Sequence, residues 1–214
     1  MYQPPLFRED RLDVLHGLIR AHPLGMLISV GPDGEPEANA VPMLLDAAEG
    51  QHGVLKCHVA RANPQWRMLA ANGRALVVFQ GPDHYITPSW YQTKIDTGKV
   101  VPTWNYAMVQ VRGTVTVHED HQWLGMQIRQ LTRAHEQQRP APWAVDDAPE
   151  NFIDAQIKGI VGIEIAITAI EGKWKVSQNR PVADRAGVVA GLDAEAAPEA
   201  AAMAELVRTH GGRE

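Results

Sequence analysis

"TWNYAMVQVRGTVTVH", Thr103 to His118, is the stretch on which the reading of the chain turns. Val109, Val111 and the TVTV run read as a long β-strand. Pro102, just before it, denies a ladder hydrogen bond and so belongs at an edge or an entry point. The start of the strand is polar and aromatic. If the strand is regular, Trp104 and Tyr106 share one face and Asn105 points to the other. A bulge after Pro102 would bring all three together.

Further strand-like runs surround this one. LGMLISV (24–30), ANAVPMLLD (38–46), HGVLKCHVA (52–60) and ALVVFQG (75–81) precede it. Asp33-Gly34 is a hairpin signal between the first two, and Pro42 places the second at an edge or bulge. IVGIEIAITAIEGKWKVSQN (160–179) reads as a hairpin-like pair turning at Gly172. Helical spacing appears over 10–22, about 120–139 and 150–160. NPQWRMLAANG is a short helix with Asn63 at its N-cap and Pro64 in its first turn. PVADRAGVVAGL starts a helix after Pro181 and ends it at Gly191, YQTKIDTGK (91–99) is a polar loop, and the alanine-rich tail is helical.

Many strands with antiparallel turn signals predict a mainly β, α+β fold: a small barrel with peripheral helices. The expected organisation is one domain over residues 1–194 with a helical tail over 195–214. The 214 residues are 45% hydrophobic and 21% charged, which is a globular composition. One cysteine, Cys57, excludes a disulfide framework within the chain and makes a cytoplasmic setting the default. No signal peptide or membrane span is read. The net charge of −5 argues against binding DNA mainly by charge, although a local basic patch remains compatible with it. Neither G-x-G-x-x-G after a strand nor G-x-x-x-x-G-K-[ST] occurs. The nine histidines lack H-E-x-x-H, so no metal site is expected. No serine has a nucleophile-elbow context, and no catalytic residue is assigned.

Two groups of side chains are candidates for binding. Lys56, His58, Arg61 and Asn63 combine cations with a helix start, which suits a phosphate. Trp104, Asn105 and Tyr106, together with Gln178, Asn179 and Arg180, combine aromatic faces with amides, which suit a planar heterocycle. Each group also has a plain structural reading, as a solvated strand face with a normal cap and as aromatic residues sealing a core or an interface.

Over nearly its whole length, with only the alanine-rich tail beyond about 195 generic, the chain resembles the PaiB family of FMN-binding negative transcriptional regulators. The resemblance is carried by "LHGLIRAHP", "HVARANPQW", "VVFQGPDHYITPSWY", "VVPTWNY", "GKWKVSQNR" and "DRAGVVAGL". It implies an FMN-binding split β-barrel related to pyridoxamine-phosphate oxidase-like flavoproteins. It also implies a homodimer with FMN in clefts between subunits, and a repressor role. Lys56, His58, Arg61 and Asn63 would then lie on the phosphate and ribityl side. Trp104, Asn105 and Tyr106 would lie near the ring, with Gln178, Asn179 and Arg180 from the same or the partner subunit. Two positions depart from the pattern: Ala40, where a histidine is expected, and Cys57, where a glycine is expected. The alternatives are a flavin-dependent oxidoreductase and a haem-binding or haem-degrading split barrel, the latter with His58 or His84 as an accessible ligand.

Overall fold

The computed structural model describes residues 1–211. In chain order the strands are β1 (Arg8–Glu9), β2 (Leu24–Val30), β3 (Pro36–Pro42), β4 (Leu44–Asp46), β5 (Val54–Ala60), β6 (Arg74–Ile86), β7 (Thr103–His118) and β8 (Ile160–Lys175). The helices are α1 (Leu12–Ala21), α2 (Gln65–Asn72), α3 (Gln92–Thr97), α4 (His121–Glu136), α5 (Glu150–Lys158), α6 (Val182–Ala194) and α7 (Pro198–His210). The sheet order is β3-β2-β6-β7-β8-β5-β4, with β1 added to β8. The pairs β2–β3, β2–β6, β4–β5, β5–β8 and β1–β8 are all antiparallel.

The chain forms two compact units. The first comprises 1–15, 80–109 and 171–214, and the second 16–79 and 110–170. β6, β7 and β8 each have one segment in each unit. The second unit has a core of inward residues from alternating strand positions, among them Leu27, Val41, Leu55, Val77, Phe79, Val111, Ile163 and Ile165. Its α4 and α5 bury Leu124 and Ile157. The first unit is held by helix packing, with Val188 and Leu192 of α6 and Ala200, Met203, Ala204 and Val207 of α7 all buried.

β7 occupies the range that its sequence pattern predicts. The run 38–46 is not one strand: it breaks at Met43, whose N donates to the Pro23 carbonyl at 2.8 Å, into β3 paired with β2 and β4 paired with β5. Three more elements differ from the sequence reading, and each has a tertiary cause. Gly172 is not a turn but lies inside the unbroken β8. A Cβ there would overlap the Leu15 side chain, so the glycine serves close packing. α6 does not end at Gly191 but runs to Ala194. Gly187 and Gly191 leave room for Trp90, whose carbonyl and indole would collide with added Cβ atoms. The stretch 91–99 is not all loop. α3 forms because the buried Asp184 accepts from Thr93 N and Thr93 Oγ1, both at 2.9 Å, and so satisfies an orphan donor of its first turn.

Candidate functional site

The first group of candidate residues lies in the second unit. Lys56 and His58 are alternate residues of β5, on the face opposite Leu55 and Cys57. Lys56 Nζ donates to Glu49 Oε2 at 2.7 Å and Asp46 Oδ2 at 3.2 Å. Burial alone would lower its pKa, but the bonds to Glu49 and Asp46 outweigh it, and the net shift is upward. Arg61 is also engaged by its own chain. Its Nε donates to the Lys158 carbonyl at 3.0 Å, its second terminal nitrogen to the Ile160 carbonyl at 3.1 Å, and its first to Glu119. Asn63 Oδ1 accepts from Gln65 N at 2.9 Å and caps α2, as its position before the helix predicts.

His58 Nδ1 is 2.8 Å from Gln127 Oε1 of α4. Gln127 Nε2 is buried and has no hydrogen-bond partner among the described residues, and the buried His118 Nε2 has Glu164 Oε2 3.7 Å away. His118 stacks on Trp123 with centroids 4.1 Å apart and planes 7° apart. Trp123 in turn covers Gly162, the β8 residue directly across from His58. This polar patch beneath α4 escapes the sequence, because its members come from three strands and one helix.

The two departures from the family pattern have different surroundings. Cys57 faces the core and is fully buried, and burial pushes its thiol up to about 12. It is a buried hydrophobe rather than a nucleophile. Ala40 faces outward on β3, opposite Met26. It belongs to a continuous apolar ladder: Leu24, Met26, Ile28 and Val30 of β2 stand against Pro42, Ala40, Ala38 and Pro36 of β3. Leu24 is 62% exposed, Val30 42% and Met26 41%.

The second group lies in the first unit. The strand start is regular: Trp104 is exposed, Asn105 buried and Tyr106 half-buried. Asn105 faces inward and its Nδ2 donates to Ser177 Oγ at 2.9 Å. Trp104 and Tyr106 share the other face, and Tyr85 meets Trp104 edge-on at 6.0 Å. Ser177 sits at φ 67°, a left-handed conformation that costs a serine about 1 kcal/mol. Gln178 braces this corner with its own amide, accepting from Val176 N at 2.7 Å and donating to the Trp174 carbonyl at 2.5 Å. Asn179 is exposed, and the Arg180 guanidinium lies over the Tyr91 ring, 4.4 Å from its centroid.

Two lysines that the sequence reading passed over join this group. Lys175 Nζ donates to the Trp104 carbonyl at 2.7 Å and to Thr103 Oγ1. Lys173 Nζ is 5.4 Å from the ring centroids of both Tyr2 and Tyr106. The signal was present in "KWK", since alternate residues of one strand share a face. Reading Gly172 as a turn placed them at the start of a hairpin arm instead. Among the described residues no group of three metal-ligating side chains is assembled, and no helix is long and apolar enough to cross a membrane.

A family model described as "Putative FMN-binding domain" matches residues 1–169. An uncharacterized protein of Emericella nidulans is 34% identical, covering 99% of this chain and 98% of its own. Protease synthase and sporulation protein PAI 2 of Bacillus subtilis is 31% identical, covering 97% and 96%. In structure, the FAD and haem binding protein of Mycobacterium smegmatis matches with a TM-score of 0.52 at 16% identity, over 78% of this chain and 73% of that one. The last is a likeness of fold alone. The fold is an α+β split barrel of the flavin-binding type.

Proposed function

We propose, from the premise that the chain belongs to the FMN-binding domain family, that it binds flavin mononucleotide and works as a homodimer. The single observation that carries the reading within the chain is the wall at the start of β7. There an exposed indole and a phenol share one face, while a buried amide behind them fixes the strand. An aromatic face held this way loses little entropy when a flat ring covers it. Trp104, Asn105, Tyr106, Gln178, Asn179 and Arg180 are the proposed ring-side group of the first unit. In the second unit, Lys56, His58, Arg61 and Asn63 are the proposed phosphate and ribityl group. The ion pairs of Lys56 and Arg61 end on partly exposed carboxylates, which a dianion can displace at small cost.

The homodimer is supported by the β2–β3 ladder, eight outward residues without a charge among them. Such a face is expensive in water, at about 1.5–3 kcal/mol for each large side chain left uncovered. A second copy covers it by symmetry. For cellular role, the resemblance to the PaiB family of transcriptional regulators, with the end-to-end likeness to the Bacillus protease synthase and sporulation protein, is the support for a regulator. The flavin itself supplies redox chemistry when bound, and the chain's part is orientation and electrostatics. A haem reading is not favoured by its expected ligands. His58 is engaged with Gln127 and His84 Nε2 with Glu195 at 3.0 Å.

The test is the visible absorption spectrum of the purified protein, with mass spectrometry of any released molecule. The expected result is a yellow protein that releases FMN. Colourless protein that also takes up no added FMN overturns the reading. Sedimentation should give a dimer, and Met26→Lys should yield a monomer. Capture of one genomic fragment above background, set against reduction by NADH or NADPH, separates regulator from oxidoreductase.

A further inference from the structure

We propose that Lys173, Lys175 and Arg180 form an oxyanion site in the first unit, suited to a phosphate group. Several cations sit against carboxylates, among them Arg8, Arg11, Arg61, Arg129, Arg139, Arg208 and Lys56. Lys173, Lys175 and Arg180 have no carboxylate partner among the described residues.

Their burial makes this costly. Lys173 is only 9% exposed and makes no hydrogen bond among the described residues. Two tyrosine faces solvate it in part, through the attraction of a ring quadrupole for a cation. Lys175 has spent two of its three N–H groups on Thr103 and Trp104 and keeps one. Burial depresses its pKa most, and the charges of Lys173 and of Arg180 add to that, so each of the two repels Lys175. Arg180 lies over the Tyr91 ring, and its charge opposes the rise that burial brings to the pKa of the Tyr91 hydroxyl. A buried lysine without a hydrogen bond, beside a second lysine repelled by two cations, is an expensive arrangement for folding alone. One bound dianion relieves all of it. A phosphate matches three positive charges better than a single carboxylate does, and the planar fork of arginine suits its oxygens.

The phosphate can be the tail of the flavin or belong to a second, phosphorylated ligand. Binding of inorganic phosphate is measured by calorimetry at constant ionic strength, on the flavin-free and the FMN-saturated protein. Flavin uptake is followed separately by visible absorbance, so a failure of flavin binding is distinguishable from a failure of this site. Saturable phosphate binding is expected in the flavin-free protein. Lys175→Met should weaken it about ten-fold, the loss of one charge-assisted bond, and Lys175→Arg should restore most of it. If FMN abolishes the binding, the site holds the flavin's own phosphate in place of the Lys56 group proposed above, and the ratio of FMN to riboflavin affinity falls in Lys175→Met by the same factor. If phosphate still binds the FMN-loaded protein, the anion belongs to a second ligand. Absence of phosphate binding in both states overturns the proposal, and so does binding that Lys175→Met and Arg180→Met leave unchanged.

Discussion

Lys56 and Lys175 are both partly buried strand lysines, and they have opposite fates. Lys56 is embraced by Glu49 and Asp46, and its pKa rises despite burial. Lys175 is buried beside Lys173 and Arg180, and its pKa falls. The first lysine is a stabilising tie and the second a standing cost. The difference teaches that a count of cations in a sequence says little about which are available to a ligand. Availability depends on whether the fold supplies an acid: for Lys56 it does so from β4 and the loop after it, Asp46 and Glu49.

Arg61 gives the strongest way to break the comparison. Its guanidinium joins the end of β5 to the Lys158 and Ile160 carbonyls and to Glu119. Arg61→Met should lower the unfolding free energy by about 2–3 kcal/mol, because two backbone acceptors lose charge-assisted donors. Urea denaturation reads this directly. Arg180→Met, by contrast, should leave stability within about 0.5 kcal/mol. Equal losses from both substitutions would erase the distinction between the two regions.

The second way converts one region into the other. Asp46→Asn with Glu49→Gln keeps shape and removes the acids that hold Lys56. The double variant should lose about 1–2 kcal/mol, since both pairs are partly solvated. It should also gain affinity for inorganic phosphate, because Lys56 would then resemble Lys175. A variant that loses stability without any such gain would show that charge balance alone does not make an anion site.

How much of this was legible in the sequence follows from the range of the interactions involved. β7 was readable from end to end, since strand period and a preceding proline are local signals. The Asn63 cap was readable for the same reason: donor and acceptor are two residues apart. The split of Trp104 and Tyr106 from Asn105 followed from strand alternation. The helix α3 was not readable, because its cap, Asp184, lies 91 residues away. Gly172 and Gly191 were misread because glycine serves close packing and turns alike, and only the neighbours Leu15 and Trp90 decide between them. The acid that engages Arg61 could not be seen either. The pairing of Arg61 with Glu119 spans 58 residues.

A smaller effect, of opposite sign, is expected at Lys175. Lys175→Met removes a desolvated, repelled charge and keeps the length of the stem against its neighbours. Losing its bonds to Thr103 and Trp104 offsets part of that gain. The net change should be neutral or stabilising by up to about 0.5 kcal/mol in phosphate-free buffer. Added phosphate should raise the melting temperature of the parent protein and not that of the variant. A destabilised variant would mean that Lys175 is a structural tie like Lys56.

The smallest effect is the dependence of stability on alkaline pH, and here the two lysines can be followed separately. A lysine whose folded pKa is lowered binds fewer protons when folded than when unfolded. For Lys175 stability should therefore rise as pH climbs from its folded pKa toward the ordinary value of 10.5, where the unfolded chain also loses its proton. Lys56 has the reverse sign. Its contribution is fully present below 10.5 and is lost as pH rises beyond that, through its raised folded pKa. Denaturation curves of the parent, Lys175→Met and Lys56→Met at a series of pH values isolate each term by difference. The Lys175 difference should change below 10.5 and the Lys56 difference above it. If both changed on the same side, the two lysines would share one environment, and the contrast between the two regions would rest on Arg61 and Arg180 alone.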